Sequence, residues 1–135
     1  MQLGAAVWVT DFGVGISDLA QTAKQAGLES LFLTDHTHVP VGRGDVVDDD
    51  LHRQDPHILD QFATLGAAAM VTSRLRLGTG ACIVAQRDPI ILAKQVATID
   101  HLSGGRFAIR RRRRVAGRRD AEPWCPFITG GLLVR

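Results

Sequence analysis

Residues 74–109 read RLRLGTGACIVAQRDPIILAKQVATIDHLSGGRFAI and predict one complete strand–helix–strand unit. The apolar run at 74–84 predicts a buried strand, and residues 106–109 predict the start of the next one. Between them, the Asp-Pro pair at 88–89 predicts a helix start, because aspartate caps the first turn and proline suits the first helical position. The glycine pair at 104–105 predicts where this helix ends.

The same alternation extends toward the N-terminus. Strands are predicted at residues 3–9 and 28–34, and helices at residues 18–26 and from a second Asp-Pro pair at 55–56 to about residue 72. Ser17 is the predicted N-cap of the first helix, and Gly27 is its predicted end. The apolar stripes predicted to face the sheet are Leu19 and Ala23, then Phe62, Leu65 and Ala69, then Leu92, Val96 and Ile99.

The resulting order, β-α-β-α-β-α-β, favours an α/β fold of parallel strands with outer helices. Two closures remain open: a doubly wound open sheet, and the N-terminal half of a (β/α)8 TIM barrel. No G-x-G-x-x-G opens the first helix, which counts against a dinucleotide-binding sheet. A full barrel takes about 250 residues, so a chain of 135 residues accounts for about four of its strands.

Composition narrows the function classes. No apolar run approaches the roughly 20 residues of a membrane helix, and the N-terminus does not resemble a signal peptide, so we expect a cytoplasmic protein with no membrane partner. The net charge of +2 is uneven. Residues 1–109 carry 8 basic and 12 acidic side chains, a balance of −4, whereas residues 110–135 carry 8 arginines and 2 acids, a balance of +6.

The stretch TDHTHVP, residues 34–40, follows the second predicted strand, where barrels carry their chemistry. His36 could move a proton near neutral pH, and Asp35 could orient it or contact a ligand. The alternative is a polar loop whose side chains satisfy backbone groups. His36 and His38 suggest a metal pair, but two histidines are too few for zinc, and we expect no metal.

The stretch LGTGACIV, residues 77–84, is the second candidate. Glycines inside a strand suggest a bulge or the close approach of a ligand, such as a flat cofactor ring; tight packing against a helix is the alternative. Cys82 reads as a small buried residue rather than a nucleophile, because no histidine base is paired with it in the sequence. Arg87 could bind an anionic group at the barrel mouth or simply be solvated.

Together these segments resemble the luciferase-like monooxygenase family, and within it the deazaflavin-dependent branch. The matching text is LFLTDHTHVPVGR, followed by DPHILDQFATLGAAAMVTSRLRLGTGACIVAQRDPIILAKQVATIDHLSGGRF, so the resemblance covers nearly all of residues 1–109. It implies the TIM barrel and a cofactor at the barrel mouth. It also implies an Asp-His pair in the active site, here Asp35 and His36, and a bulge after strand three, often with a non-proline cis peptide, here at about Gly80-Ala81.

The resemblance therefore implies an oxidoreductase that transfers hydride between a deazaflavin, coenzyme F420, and a small organic substrate. His36 is the implied catalytic residue, and the implied cofactor-binding residues are Asp35, Thr79, Gly80, Ala81 and Cys82. The alternative within the family is monooxygenation with FMN.

The chain departs from the family text at Arg110, where five arginines begin. Read one nucleotide over, CGN arginine codons become GNC codons for Gly, Ala, Val or Asp, which fit the glycine-rich family continuation. We therefore predict that residues 110–135 are a disordered, non-family tail produced by a one-nucleotide frameshift, which resequencing would test. Nucleic-acid binding by the arginines is the alternative, but no aromatic platform or known module accompanies them. With half a barrel, we expect the chain to be inactive alone or to associate as a homodimer.

Overall fold

The computed structural model of the chain describes residues 3–35 and 57–112. The strands are β1 Gly4–Val7, β2 Ser30–Leu33, β3 Arg76–Thr79, β4 Cys82–Ile83, β5 Phe107–Ala108 and β6 Arg111–Arg112. The helices are α1 Ile16–Gln25, α2 Gln61–Val71 and α3 Pro89–Ser103, and a 3₁₀ turn spans Val84–Gln86. His36, His38 and the predicted helix start at 55–56 lie outside the described residues.

The main sheet has four parallel strands in the order β1-β2-β3-β5. Its register aligns Ala5 with Leu31, Leu31 with Leu77, and Leu77 with Phe107. Each helix connects two neighbouring strands, as parallel strands require a crossover. The predicted α/β fold of parallel strands and helices is confirmed, and its neighbour-to-neighbour strand order is that of consecutive strands in a barrel.

The core lies between the sheet and the three helices. Leu31, Leu33 and Leu77 are buried on the strands, and they pack in one cluster with the helices' inner residues. The predicted stripes are confirmed: Ala23, Phe62, Leu65, Ala69, Leu92 and Ile99 are buried, and Leu19 and Val96 are partly buried against the same cluster. Strand residues therefore alternate, with every second side chain directed at the helices.

Both ends of α3 lie where the sequence predicts them. Asp88 Oδ1 accepts the amides of Ile90 and Ile91, each at 2.9 Å, at the start of α3. That helix ends at Gly104, whose φ of 65° lies in the left-handed region that glycine tolerates best. The predicted start of α3 at 88–89 and its end at 104–105 are both confirmed.

The first helix ends as predicted but begins earlier. Gly27 has φ 74°, and the amides of Gly27 and Leu28 bond back to Lys24 and Ala23. The predicted N-cap Ser17 is wrong, because α1 begins at Ile16 and Gly15 occupies the cap position, its carbonyl accepting the Leu19 amide.

The second helix begins at Gln61 rather than just after the Asp-Pro pair at 55–56. The N-cap is Asp60, whose Oδ1 accepts the amides of Phe62 at 3.0 Å and Ala63 at 2.8 Å. Just before it, Ile58 forms a β-bridge with Thr10. A residue paired with the segment after β1 cannot also be helical, so the helix starts after it.

The third predicted strand, 74–84, is divided into β3 and β4 by a cis peptide bond between Gly80 and Ala81. Gly78 lies within β3, at a position that has no room for a side chain. A Cβ there would lie 2.5 Å from a ring carbon of Phe32 and 2.7 Å from the Ala108 carbonyl oxygen. The close approach is thus between neighbouring strands.

The first residues of the arginine run belong to the folded domain. The predicted boundary places a disordered tail from residue 110, but Arg111 and Arg112 form β6, which runs parallel to β4. Bonds from Arg110 to β3 and β4 explain this. The Arg110 carbonyl accepts the Cys82 amide of β4 at 2.7 Å, and the Arg110 backbone also bonds the Thr79 hydroxyl of β3. The rest of the predicted tail, 113–135, lies outside the described residues. Among the helices that the structure describes, none is long and apolar enough to span a membrane.

Arg106 joins the ends of α2 and α3 at the amino ends of the strands. Its guanidinium donates to the carbonyls of Ser103 and Leu75, each at 2.6 Å. It also donates to the carbonyls of Thr72 at 2.8 Å and Ala69 at 3.1 Å. The carbonyls of Ala69, Thr72 and Ser103 lie at helix ends, where the last carbonyls lack an intrahelical partner, and a cation there also meets the negative end of the helix dipole.

We expect Arg106→Met to lower the free energy of unfolding by about 3 kcal/mol, because several partly buried carbonyls lose their donor at once. Urea unfolding followed by circular dichroism measures the loss. Arg76→Met, at an exposed arginine of β3, is the matched control and should change the stability by less than about 0.5 kcal/mol. Equal losses in the two variants would contradict the proposed role of Arg106.

Candidate cofactor site at the strand ends

The candidate site lies where β2 and β3 end. Asp35 follows β2, and the segment Gly80–Cys82 follows β3. Since β2 and β3 are parallel neighbours, their carboxyl ends lie side by side at the edge that carries chemistry in barrels. The structure therefore brings together all the predicted cofactor-binding residues, whereas the predicted catalytic residue His36 lies outside the described residues.

The segment from Gly80 to Cys82 is a bulge between β3 and β4, anchored on both sides. On one side the Gly80 amide donates to the Leu33 carbonyl at 2.6 Å. On the other side the Thr79 hydroxyl donates to the Arg110 carbonyl at 2.8 Å and accepts the Arg110 amide at 2.7 Å. The cis peptide lies within this bulge, at the position that the family resemblance implies.

A cleft opens beside the bulge. It has a volume of about 300 Å³, and Gly80, Ala81, Arg110 and Arg111 line it. This volume is at the lower end of the range for small-molecule pockets. Because Gly80 has no side chain and Ala81 has only a methyl group, a flat molecule could lie directly against the backbone.

Asp35 lies behind the bulge and is 4% exposed. Its Oδ2 accepts the Ile83 amide at 2.9 Å and Arg87 Nε at 3.2 Å, and its Oδ1 accepts an Arg87 terminal nitrogen at 2.5 Å. Both carboxylate oxygens are thus engaged by the protein itself. Cofactor binding by Asp35 stays a prediction, and the geometry places its carboxylate in a supporting position.

Arg87 is neither solvated nor directed at an anionic ligand. Its side chain is only 9% exposed, and its guanidinium also contacts Asp60 Oδ2 at 3.3 Å and lies 4.8 Å from the centre of the Phe62 ring. Burial by itself lowers the pKa of Arg87, but the hydrogen bonds and negative charge of Asp35 outweigh it and raise that pKa above its usual value. The Arg87 guanidinium therefore stays charged where it pairs with the buried Asp35 side chain.

Cys82 is completely buried beside this pair. Burial, with a further contribution from the negative charge of Asp35, raises the pKa of its thiol to about 12. A thiol with that pKa is protonated at neutral pH, and the thiolate is the nucleophilic form. The expectation of a small buried residue is confirmed, and nucleophilic chemistry at Cys82 is disfavoured.

The predicted cofactor-binding residues thus divide into two groups. Gly80 and Ala81 line the cleft, whereas Thr79, Cys82 and Asp35 are buried behind it. Within the described ranges 3–35 and 57–112, no three potential metal ligands gather into a site.

Gln61 is a buried side chain at this edge that the sequence analysis missed. It is 1% exposed, and its Nε2 donates to the Leu33 carbonyl at 2.6 Å, the oxygen that also accepts the Gly80 amide. Its Oε1 has no hydrogen-bond partner among the described residues. The available signal was a polar residue at the first position of a helix whose next positions are apolar.

Comparisons with known proteins agree with the resemblance. The model of the luciferase-like monooxygenase family matches residues 15–110. An uncharacterized protein of Mycobacterium tuberculosis is 38% identical over 117 residues, which cover 81% of this chain and 40% of that protein. The chain thus spans about two fifths of the length of the first curated relatives it matches.

Two solved structures show the same fold. A coenzyme F420-dependent tetrahydromethanopterin reductase from Methanopyrus kandleri has a TM-score of 0.61 and 26% identity, over 82% of this chain and 26% of that one. A monooxygenase from Streptomyces bottropensis has a TM-score of 0.66 and 25% identity, over 85% of this chain and 34% of that one.

We expect the Cys82 thiol to resist alkylation in the folded chain. With Cys125→Ser removing the other cysteine, iodoacetamide at pH 8 should label Cys82 about a thousandfold more slowly in buffer than in urea, since the thiol pKa changes from about 12 to 9.0 on unfolding. The rate should still be rising with pH above 9. Ser73→Cys in a chain without Cys82 and Cys125 supplies an exposed thiol as the control. Comparable rates for the two thiols would contradict this account.

Proposed function

Because the chain belongs to the luciferase-like monooxygenase family, we propose that its cleft binds a deazaflavin, coenzyme F420, and that the activity it serves is hydride transfer between this cofactor and a small organic substrate. The observation that carries the proposal is the cleft beside the Gly80–Cys82 bulge, at the carboxyl ends of β2 and β3. The coenzyme dependence of the Methanopyrus reductase supports the choice of a deazaflavin.

The residues of the cleft fit a flat ring system. Gly80 and Ala81 offer backbone and one methyl group as a wall, and the bonds of Gly80 to Leu33 and of Thr79 to Arg110 hold that wall in place. A Cβ at position 80 would lie 3.0 Å from the Cβ of Phe32, so even the smallest side chain would be tight there. Preorganised support of this kind reduces the cost of ordering the site when a ligand binds.

The five cofactor-site residues take two roles in this proposal. Gly80 and Ala81 contact the cofactor, whereas Thr79, Cys82 and Asp35 hold the contacting segment from behind. When bound, the deazaflavin supplies or accepts the hydride. His36, the residue after Asp35, is proposed to move the accompanying proton, as a histidine can near neutral pH.

FMN-dependent monooxygenation is the second candidate, favoured by the similarity to the Streptomyces monooxygenase. A wall of backbone accommodates a flavin ring as readily as a deazaflavin ring. The two differ in the co-reactant, since a reduced flavin monooxygenase consumes dioxygen and a deazaflavin enzyme of this type does not.

The remaining expectations stay proposals. We propose that the chain has little activity alone, or that two copies associate. The division at residue 109, with a frameshift as the source of the arginine run, is tested by resequencing the gene. A reading frame without the shift would overturn it.

We expect the chain to bind coenzyme F420 and Ala81→Phe to weaken that binding at least about tenfold, because a phenyl ring would fill the cleft. Titration followed by cofactor fluorescence gives the dissociation constants for coenzyme F420 and FMN. Ala97→Phe, on an exposed position of α3, is the matched control and should bind as the wild type does. Binding of FMN alone would favour the second candidate, and binding of neither cofactor would overturn both.

A further inference from the structure

We propose that Arg87 is a positioning residue: its ion pair with Asp35 is a latch that fixes the Gly80–Cys82 bulge against the end of β2. The inference rests on the proposed function, because it concerns the geometry of the proposed cofactor site. It assigns Arg87 no contact with the ligand.

The latch connects segments that are far apart in the sequence. Arg87 holds Asp35 through two nitrogens and two oxygens, across 52 residues, a fork geometry that fixes orientation as well as distance. Asp35 in turn accepts the Ile83 amide, across 48 residues. The end of β2 and the far side of the bulge are therefore bound to the same carboxylate.

A second set of contacts holds the latch itself. Arg87 reaches Asp60 Oδ2 at 3.3 Å, while the other oxygen of Asp60 caps α2. The guanidinium lies over the Phe62 ring, at a distance where cation–π attraction is appreciable. The N-cap and first turn of α2 thereby hold the Arg87 side chain in place.

The consequence for the site is geometric. Asp35 is directly followed in the chain by His36, and Ile83 directly follows Cys82. The latch holds Asp35 and Ile83 together. It therefore sets the distance between the end of β2, which precedes the proposed proton-transfer residue, and the Gly80–Cys82 bulge, which forms the wall of the proposed cofactor cleft. A buried pair that contributes little net stability can still be retained for such specificity.

The test removes the latch without leaving a buried charge. Single removal of Arg87 would strand the Asp35 carboxylate and could unfold the chain, so the principal variant is Asp35→Leu with Arg87→Met, since an apolar pair of similar volume is tolerated in place of a buried ion pair. Arg87→Lys keeps the charge but loses the fork. Arg74→Met, at an exposed arginine, is the matched control.

Two readouts are measured on the full chain. Hydrogen exchange of the Ile83 amide reports the latch without any cofactor, with the amides of Leu31 and Leu77 as an internal reference for global stability. Titration with coenzyme F420 and FMN gives the dissociation constants and the absorbance spectrum of the bound cofactor. In the double variant we expect Ile83 to exchange about tenfold faster relative to the reference amides. We expect the dissociation constant to rise about tenfold with a shifted spectrum, and Arg87→Lys to lie between wild type and the double variant.

The outcomes separate the two proposals. Unchanged relative exchange of Ile83 in the double variant would overturn the latch, whatever the cofactor does. Faster exchange with an unchanged dissociation constant and spectrum would overturn the positioning role. If the wild type binds neither cofactor, the proposed function and the positioning role both fail. Exchange of the Ile83 amide in Arg87→Lys, which keeps Asp35 as its acceptor, still decides whether the Arg87 fork holds the bulge.

Discussion

A charged carboxylate that is almost fully buried governs the carboxyl-terminal edge of this sheet. Asp35 is 4% exposed, and an isolated ionised group would be costly there. Arg87 and the Ile83 amide satisfy its oxygens, Asp60 and Phe62 hold Arg87, and Asp60 caps the helix between β2 and β3. The ends of β2, the bulge and α2 are thus parts of one electrostatic arrangement.

Local chemistry made much of the fold predictable. Asp88 and Gly104 delimit α3 because aspartate accepts the first-turn amides and glycine tolerates a left-handed backbone. The start of α2 was missed because a bridge between Ile58 and Thr10 extends the chain before Asp60. Pairing across nearly fifty residues has no signature in a local pattern, and neither does the contact of Arg87 with Asp35.

The candidate site was also predictable in part from the local sequence. Glycines and a family-like text pointed to Gly80 and Ala81, and these residues do line the cleft. Thr79 and Cys82 were grouped with them by adjacency, but both are buried where the bulge joins β3 and β4, and the Thr79 hydroxyl bonds the Arg110 backbone. The sequence identifies the segment, but which of its residues contact the cleft and which support it depends on the path of the backbone through the bulge, and no local pattern encodes that path.

The hydrogen bonds of Arg106 at the amino ends of the strands are more buried than the contact between His57 and Asp11. Arg106 binds partly buried carbonyl oxygens, whereas His57 and Asp11 are 48% and 59% exposed. Dissolved ions screen exposed charges far more than partly buried dipoles. In concentrated salt the contacts of Arg106 should therefore persist, so the amino-terminal edge of the sheet keeps its connection to the ends of α2 and α3.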